Sequence, residues 1–218
     1  MALLSVVAAV AITLDVHAHG PLTRLDHRVA DRMFDWDLRH DGLARGGLTV
    51  LLYFGQRGAV LTLSVLFLGW LCWRNRTVQP LLRLIVALAL IVAVIYAFKL
   101  GLGRDAPIQE ARGEPPGHGA SFPSGHVANA VVLWGLADWA AHRWPTPARL
   151  QVAIRAGRWI GPFAVTVGMT LLNYHWISDF LGGAAVGVPL LAAVMLPVWS
   201  DLARWLDSRC GLRSFAAP

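Results

Sequence analysis

Three short stretches of the chain carry residue types suited to phosphate chemistry. The first is FPSGH, residues 122–126, which stands at the head of the apolar run VANAVVLWGLADWA. At such a helix start, unpaired backbone N–H groups and the positive dipole end attract an anion. Gly125 lets that anion approach the backbone closely. Ser124 adds a hydroxyl donor, and His126 can deliver a proton to a leaving oxygen. Pro123 suits a first turn, where its missing N–H does no harm. The second stretch is NYHWISD, residues 173–179, with His175 and Asp179 at i and i+4. On a helix these share one face. Asp179 can then hold the Nδ1 proton of His175 and leave Nε2 as a nucleophile. The third is KLGLGRDAP, residues 99–107, which offers Lys99 and Arg104 as phosphate clamps. Each stretch alone also has a plainer reading. These are a capped span with one interfacial histidine, a chance polar pair at a helix start, and cations anchoring a helix at an interface.

The elements that must position these residues are apolar helices. Of 218 residues, 56% are hydrophobic and only 15% charged, with a mean hydropathy of +0.53. A soluble domain of this length needs more polar surface. A bilayer core of about 30 Å requires about 20 mostly apolar residues per helix. Residues 180–200 hold no charge, and 58–73, 84–98, 127–137 and 159–174 are further charge-free stretches. Trp73, Trp144, Trp159, Trp176 and Trp199 lie near the ends of these runs, as suits a membrane interface. The expected spans are residues 1–17, 49–73, 79–99, 124–142, 158–174 and 177–200. The first could instead be a signal peptide ending at VHA, but no Lys or Arg precedes its apolar run, which favours a span. Arg83 and Asp138 fall inside helix ends and are expected to snorkel to the interface.

Residues 21–47 differ. Leu22, Leu25, Val29, Met33 and Trp36 recur at helical spacing, opposite Arg24, Arg28, Asp31, Arg32 and Asp35. Thr23 with Asp26 fits a capping box. This predicts an amphipathic helix on the membrane surface, with a solvated connector as the alternative. His17 and His19 have no apparent third ligand and are read as loop residues. No cluster suits a metal and no cofactor is expected. Cys72 and Cys210 make neither a disulfide framework nor a zinc set. The net charge of +6 suits anionic lipid headgroups. Arginines set singly between apolar spans do not suggest nucleic acid.

The fold class is therefore all-α integral membrane: a six-transmembrane-helix bundle with an interfacial amphipathic helix near the N-terminus. With no repeat or low-complexity linker, residues 1–218 form one domain, with its core at 22–200. Six spans put Lys99, His126, His175 and Asp179 on one membrane face. The loops 74–83 and 142–158 carry arginines and no acid, and the tail adds Arg204, Arg209 and Arg213. The positive-inside rule places these in the cytoplasm, although residues 21–47 also hold five arginines. The polar clusters then lie on the extracytoplasmic face of a multi-pass cell-membrane protein. The oligomeric state is not legible.

PSGH followed by HWISD, with a Lys-to-Pro segment upstream, resembles the type-2 phosphatidic acid phosphatase family of lipid phosphate phosphatases. The resemblance spans residues 22–200. It implies metal-independent hydrolysis of a lipid phosphate. His175 would attack phosphorus and form a phosphohistidine, with Asp179 orienting it. His126 would protonate the leaving group and then activate water. Lys99, Ser124 and the Gly125 backbone would hold the phosphoryl oxygens. Two positions depart from the family, with Ala106 and Met169 standing where it has arginines. Arg104, two residues before Ala106, is expected to compensate for one. Candidate substrates are polyprenyl diphosphate, phosphatidic acid and phosphatidylglycerol phosphate. A phosphotransferase and a binding protein that keeps the fold without turnover are the competing readings.

Overall fold

The computed structural model describes residues 2–115 and 119–212; Arg213 lies outside them. Among the described residues every regular element is helical. Helix α1 (Ala2–His17) leads through a tight turn into α2 (Pro21–Trp36), bent 71° from it. Helices α3 (Gly42–Leu52) and α4 (Arg57–Asn75) flank a turn at 53–56. Next come α5 (Gln79–Leu102) and the one-turn α6 (Pro107–Ala111). Helix α7 (Gly125–Asn129) passes through a π-helical stretch (Ala130–Trp134) into α8 (Gly135–Arg143). Helices α9 (Ala148–Leu171), α10 (Ile177–Val194) and α11 (Val198–Arg209) complete the chain.

The core lies between α4, α5, the α7–α8 segment and α10. Leu68, Leu71, Ala87, Ile91, Ile95, Leu133, Leu136 and Val194 are all essentially inaccessible there. The outer faces are equally apolar: Leu66, Ile85, Trp159 and Phe163 are each more than 60% exposed. Apolar inside and outside is the pattern of helices surrounded by lipid.

Three segments are long and apolar enough to cross a membrane: Gly42–Asn75, Gln79–Ala111 and Ile177–Val194. A fourth is added if the bent α1–α2 pair counts as one. The expectation of six spans thus becomes three or four by length and composition. The shortfall has physical causes. Helix α1 has only 16 residues, α9 carries Arg149, Arg155 and Arg158, and the α7–α8 segment ends in charged residues. Two expected spans are also interrupted. The run 49–73 breaks at 53–56, and the run 177–200 breaks at Met195–Pro197. Beyond that break α11 docks on the start of α5, where Asp207 accepts hydrogen bonds from Thr77 Oγ1 (2.7 Å) and Val78 N (2.8 Å).

Helix α2 is not the expected free surface helix. Thr23, Asp26, Ala30 and Met33 are buried, while Leu25 and Trp36 face outward. Nor does it open with a Thr23–Asp26 capping box. Its N-cap is Gly20, and Asp15 of α1 accepts from Leu22 N (3.0 Å) and Thr23 N (3.2 Å) instead. Asp26 is thereby released for another use. Arg83 and Asp138 do not snorkel either. Arg83 is buried, bonded to the Val194 carbonyl and to Ser200 Oγ (2.8 Å), with Trp139 at 4.6 Å. Asp138 is buried against Arg158 at 2.6 Å. In an apolar interior a paired charge costs less than an unpaired one, so both found partners within the protein.

Candidate active site

At the turn between α9 and α10, Asn173 adopts a left-handed conformation (φ 57°) and ends α9. His175 follows just ahead of α10, which begins at Ile177. The expected i,i+4 pairing therefore forms across a turn and a first helical turn, not along one helix face. Asp179, in that first turn, accepts from Trp176 N at 3.0 Å and so closes the helix start. The dipole end of α10 favours a carboxylate there. His175 Nδ1 lies 3.0 Å from Asp179 Oδ2, with the His175 side chain 10% exposed and that of Asp179 fully buried.

The facing wall is the start of α7. Ser124 is its N-cap and Oγ accepts from Val127 N at 3.5 Å. The backbone of Ser124 is tied to α10 through Ser124 N and Asp179 O, 2.9 Å apart. Ser124 is fully buried, whereas Gly125 and His126 are partly accessible. A side-chain carbon added at Gly125 would meet, among the described residues outside its own helix, Ile95 Cγ2 at an ordinary 3.7 Å, so the backbone is open on that side. The His126 and His175 rings meet edge to face with centroids 6.1 Å apart. Lys99, in the last turn of α5, is half-buried at the same end.

Gly103 caps α5 in a left-handed conformation (φ 56°), which a glycine adopts without strain, and the chain turns Arg104 inward. Arg104 does not stand open to the space between the histidines. Nη1 donates to Asp179 Oδ1 (2.8 Å) and Ser178 Oγ (2.6 Å), while Nη2 donates to Asp26 Oδ2 (2.7 Å). Asp26 also receives Ser178 N at 2.9 Å. Ser121 Oγ donates to Asp179 Oδ2. Two buried carboxylates thus share one guanidinium. Asp26, Ser121 and Ser178 were not singled out from the sequence. Asp26 does carry a signal, since it shares the helical face of Leu22, Val29 and Met33.

The two departures from the family pattern have definite surroundings. Ala106 is the N-cap of α6, its N–H donating to Gln109 Oε1 at 2.9 Å. Met169 is buried among Val127, Val165 and Phe180. His17 and His19 line a cavity of about 280 Å³ together with His27, Arg104 and Glu110. Among the described residues no group of three or more His, Cys, Asp or Glu is arranged to hold a metal.

The PAP2 superfamily matches residues 80–202, more than half of the chain. Its stretch contains Lys99, Arg104, Ser124, Gly125, His126, His175 and Asp179. A solved structure, a transmembrane PAP2-type phosphatidylglycerolphosphate phosphatase from Bacillus subtilis, superposes with a TM-score of 0.67 at 19% identity. The alignment covers 97% of this chain and 98% of that one, which shows a shared fold. No curated protein matches the chain.

Proposed function

The chain belongs to the PAP2 superfamily, and on that premise we propose that it is a membrane phosphatase that hydrolyses a lipid-linked phosphate through a phosphohistidine. The observation that carries the reading is the pair of histidines facing each other 6.1 Å apart, one of them held by a buried aspartate at 3.0 Å.

The reaction follows from the atoms present. With the Nδ1 proton donated to Asp179, His175 Nε2 carries a lone pair toward the space in front of α7. Nε2 bonds to phosphorus while the P–O bond to the lipid breaks. His126 gives its proton to the departing oxygen. Water then attacks the phosphohistidine, His126 takes its proton, and phosphate leaves with His175 restored. Lys99, the Ser124 hydroxyl and the Gly125 backbone N–H hold the phosphoryl oxygens as charge develops on them. Arg104 acts one step back: it fixes Asp179 instead of touching the phosphate. The histidine is itself the nucleophile, so no metal ion is required.

The bundle reading also extends here. Six helices, α1, α4, α5, the α7–α8 segment, α9 and α10, would cross the cell membrane. The arginine-rich ends would face the cytoplasm and the histidines the outside. Phosphatidic acid, polyprenyl diphosphate and phosphatidylglycerol phosphate remain the candidate substrates; the last is what the solved neighbour acts on.

Phosphate release from a panel of these lipids by purified protein in detergent tests the proposal. Turnover is expected to persist in excess EDTA and to vanish in His175→Ala. His126→Ala is expected to slow turnover strongly yet still form phosphoenzyme from a substrate with an activated leaving group. Phosphate transfer only when an alcohol acceptor is supplied would make the protein a transferase. No turnover of any lipid, with binding intact, would make it a binding protein, a reading to which the apolar Met169 lends weight.

A further inference from the structure

A phosphate in front of α7 carries up to two negative charges and requires cations around it. The site described above supplies fewer than it has. Arg104 is shared between Asp26 and Asp179, so its charge is consumed inside the protein. Of the cations described above, Lys99 remains for the phosphate.

The turn at 53–56 is pressed against the same wall. A side-chain carbon at Gly55 would lie 2.5 Å from the His126 carbonyl oxygen and 2.7 Å from Val165 Cγ2, so glycine alone permits this approach. The turn is pinned from its other side as well, because Trp134 Nε1 donates to Phe54 O at 2.9 Å. Two residues beyond Gly55, Arg57 begins α4. Arg57 is exposed and belongs to none of the ion pairs formed among the described residues. No acidic residue lies in the first turn of α4. A cation at a helix N-terminus gains nothing from the dipole, which favours negative charge there. Local structure therefore does not explain this arginine. It begins α4 two residues after Gly55, whose backbone packs on His126 O, and this places it beside the same opening.

We propose that Arg57 is a phosphate-binding residue, joining Lys99 to clamp the phosphoryl group of the substrate from the α4 side of the site. The guanidinium brings several donors in a fixed fork, which suits phosphoryl oxygens. This inference rests on the phosphatase reading for its ligand but not for its geometry, and the two can be tested apart.

The probe is inorganic phosphate, measured by equilibrium dialysis on detergent-purified protein at low ionic strength, beside hydrolysis of a short-chain lipid phosphate. Arg57→Gln is expected to weaken phosphate binding about tenfold and to raise KM by a similar factor, the size of one charge-assisted contact. Arg57→Lys should recover most of the loss, since the charge returns. Arg112→Gln removes a charge from an exposed position, where Arg112 lies 3.8 Å from Glu114, and should match the wild type. Unchanged phosphate affinity and KM in Arg57→Gln would overturn the proposal. An equal loss in Arg112→Gln would also overturn it, because the effect would then be one of overall charge. If the wild type hydrolyses nothing but binds phosphate in an Arg57-dependent way, the anion site stands and the phosphatase reading falls.

Discussion

Asp179 receives four donors: Arg104 Nη1, His175 Nδ1, Trp176 N and Ser121 Oγ. A carboxylate so held has one orientation, and it passes that orientation to His175. Arg104 is the cation that makes two buried carboxylates tolerable beside each other. Its loss leaves both uncompensated, a cost of about 3–5 kcal/mol for breaking a buried ion pair. Arg104→Gln is therefore expected to lower thermal stability in detergent markedly, along with activity. Asp26→Asn is the gentler change, since it keeps the shape and removes the charge. Among the described residues the hydrogen bonds of Asp26 run to Arg104 and Ser178, so kcat should fall roughly tenfold to a hundredfold while KM holds, as expected when a preorganised site is loosened. A raised KM with unchanged kcat would assign Asp26 to the phosphate instead. The His175–Asp179 pair was legible in the sequence because its partners are four residues apart. Asp26 was not, because its partners lie 78 and 152 positions away and nothing local marks them.

Among the helices, α10 is the one that must come close to α7. Its glycines make this possible. A side-chain carbon at Gly183 would stand 2.5 Å from Ser124 O, and one at Gly187 would stand 3.0 Å from Val131 Cβ. Small residues in such a seam let helix backbones approach where lipid offers no hydrophobic drive to pack. Gly183→Val is expected to part the two helices and cost about 1–3 kcal/mol through overpacking. The rate should fall more than that stability loss suggests, because His175 and His126 ride on opposite sides of the seam. A thermal melt paired with an activity assay would show it; full activity at reduced melting temperature would contradict the account. The helices themselves were readable as apolar runs. Their interruptions were not, since no charge falls within the breaks themselves, 53–56 and Met195–Pro197. Charge-free sequence tells where lipid or core surrounds the chain, and says little about where the backbone turns.

At the scale of the molecule, charge separates the two ends. Arg74, Arg143, Arg149, Arg155 and Arg158 cluster at the end away from the histidines, some around the buried Asp138. With the histidines outside, a cysteine at position 114 should react with a membrane-impermeant reagent in intact cells, and one at position 150 should not. The background would carry serine at positions 72 and 210. The reverse labelling pattern would turn the protein over in the membrane. Hydrogen bonds between Asp26 and Ser178 join α2 to α10 across 152 residues. At translation rates of about 5–20 residues per second, that separation corresponds to roughly 8–30 s between the emergence of its two halves. Until then Asp26 and Arg104 have only each other, and Asp179 does not yet exist to orient a histidine. On the phosphatase proposal, the unfinished chain is thus expected to be silent toward lipid until α10 is in place.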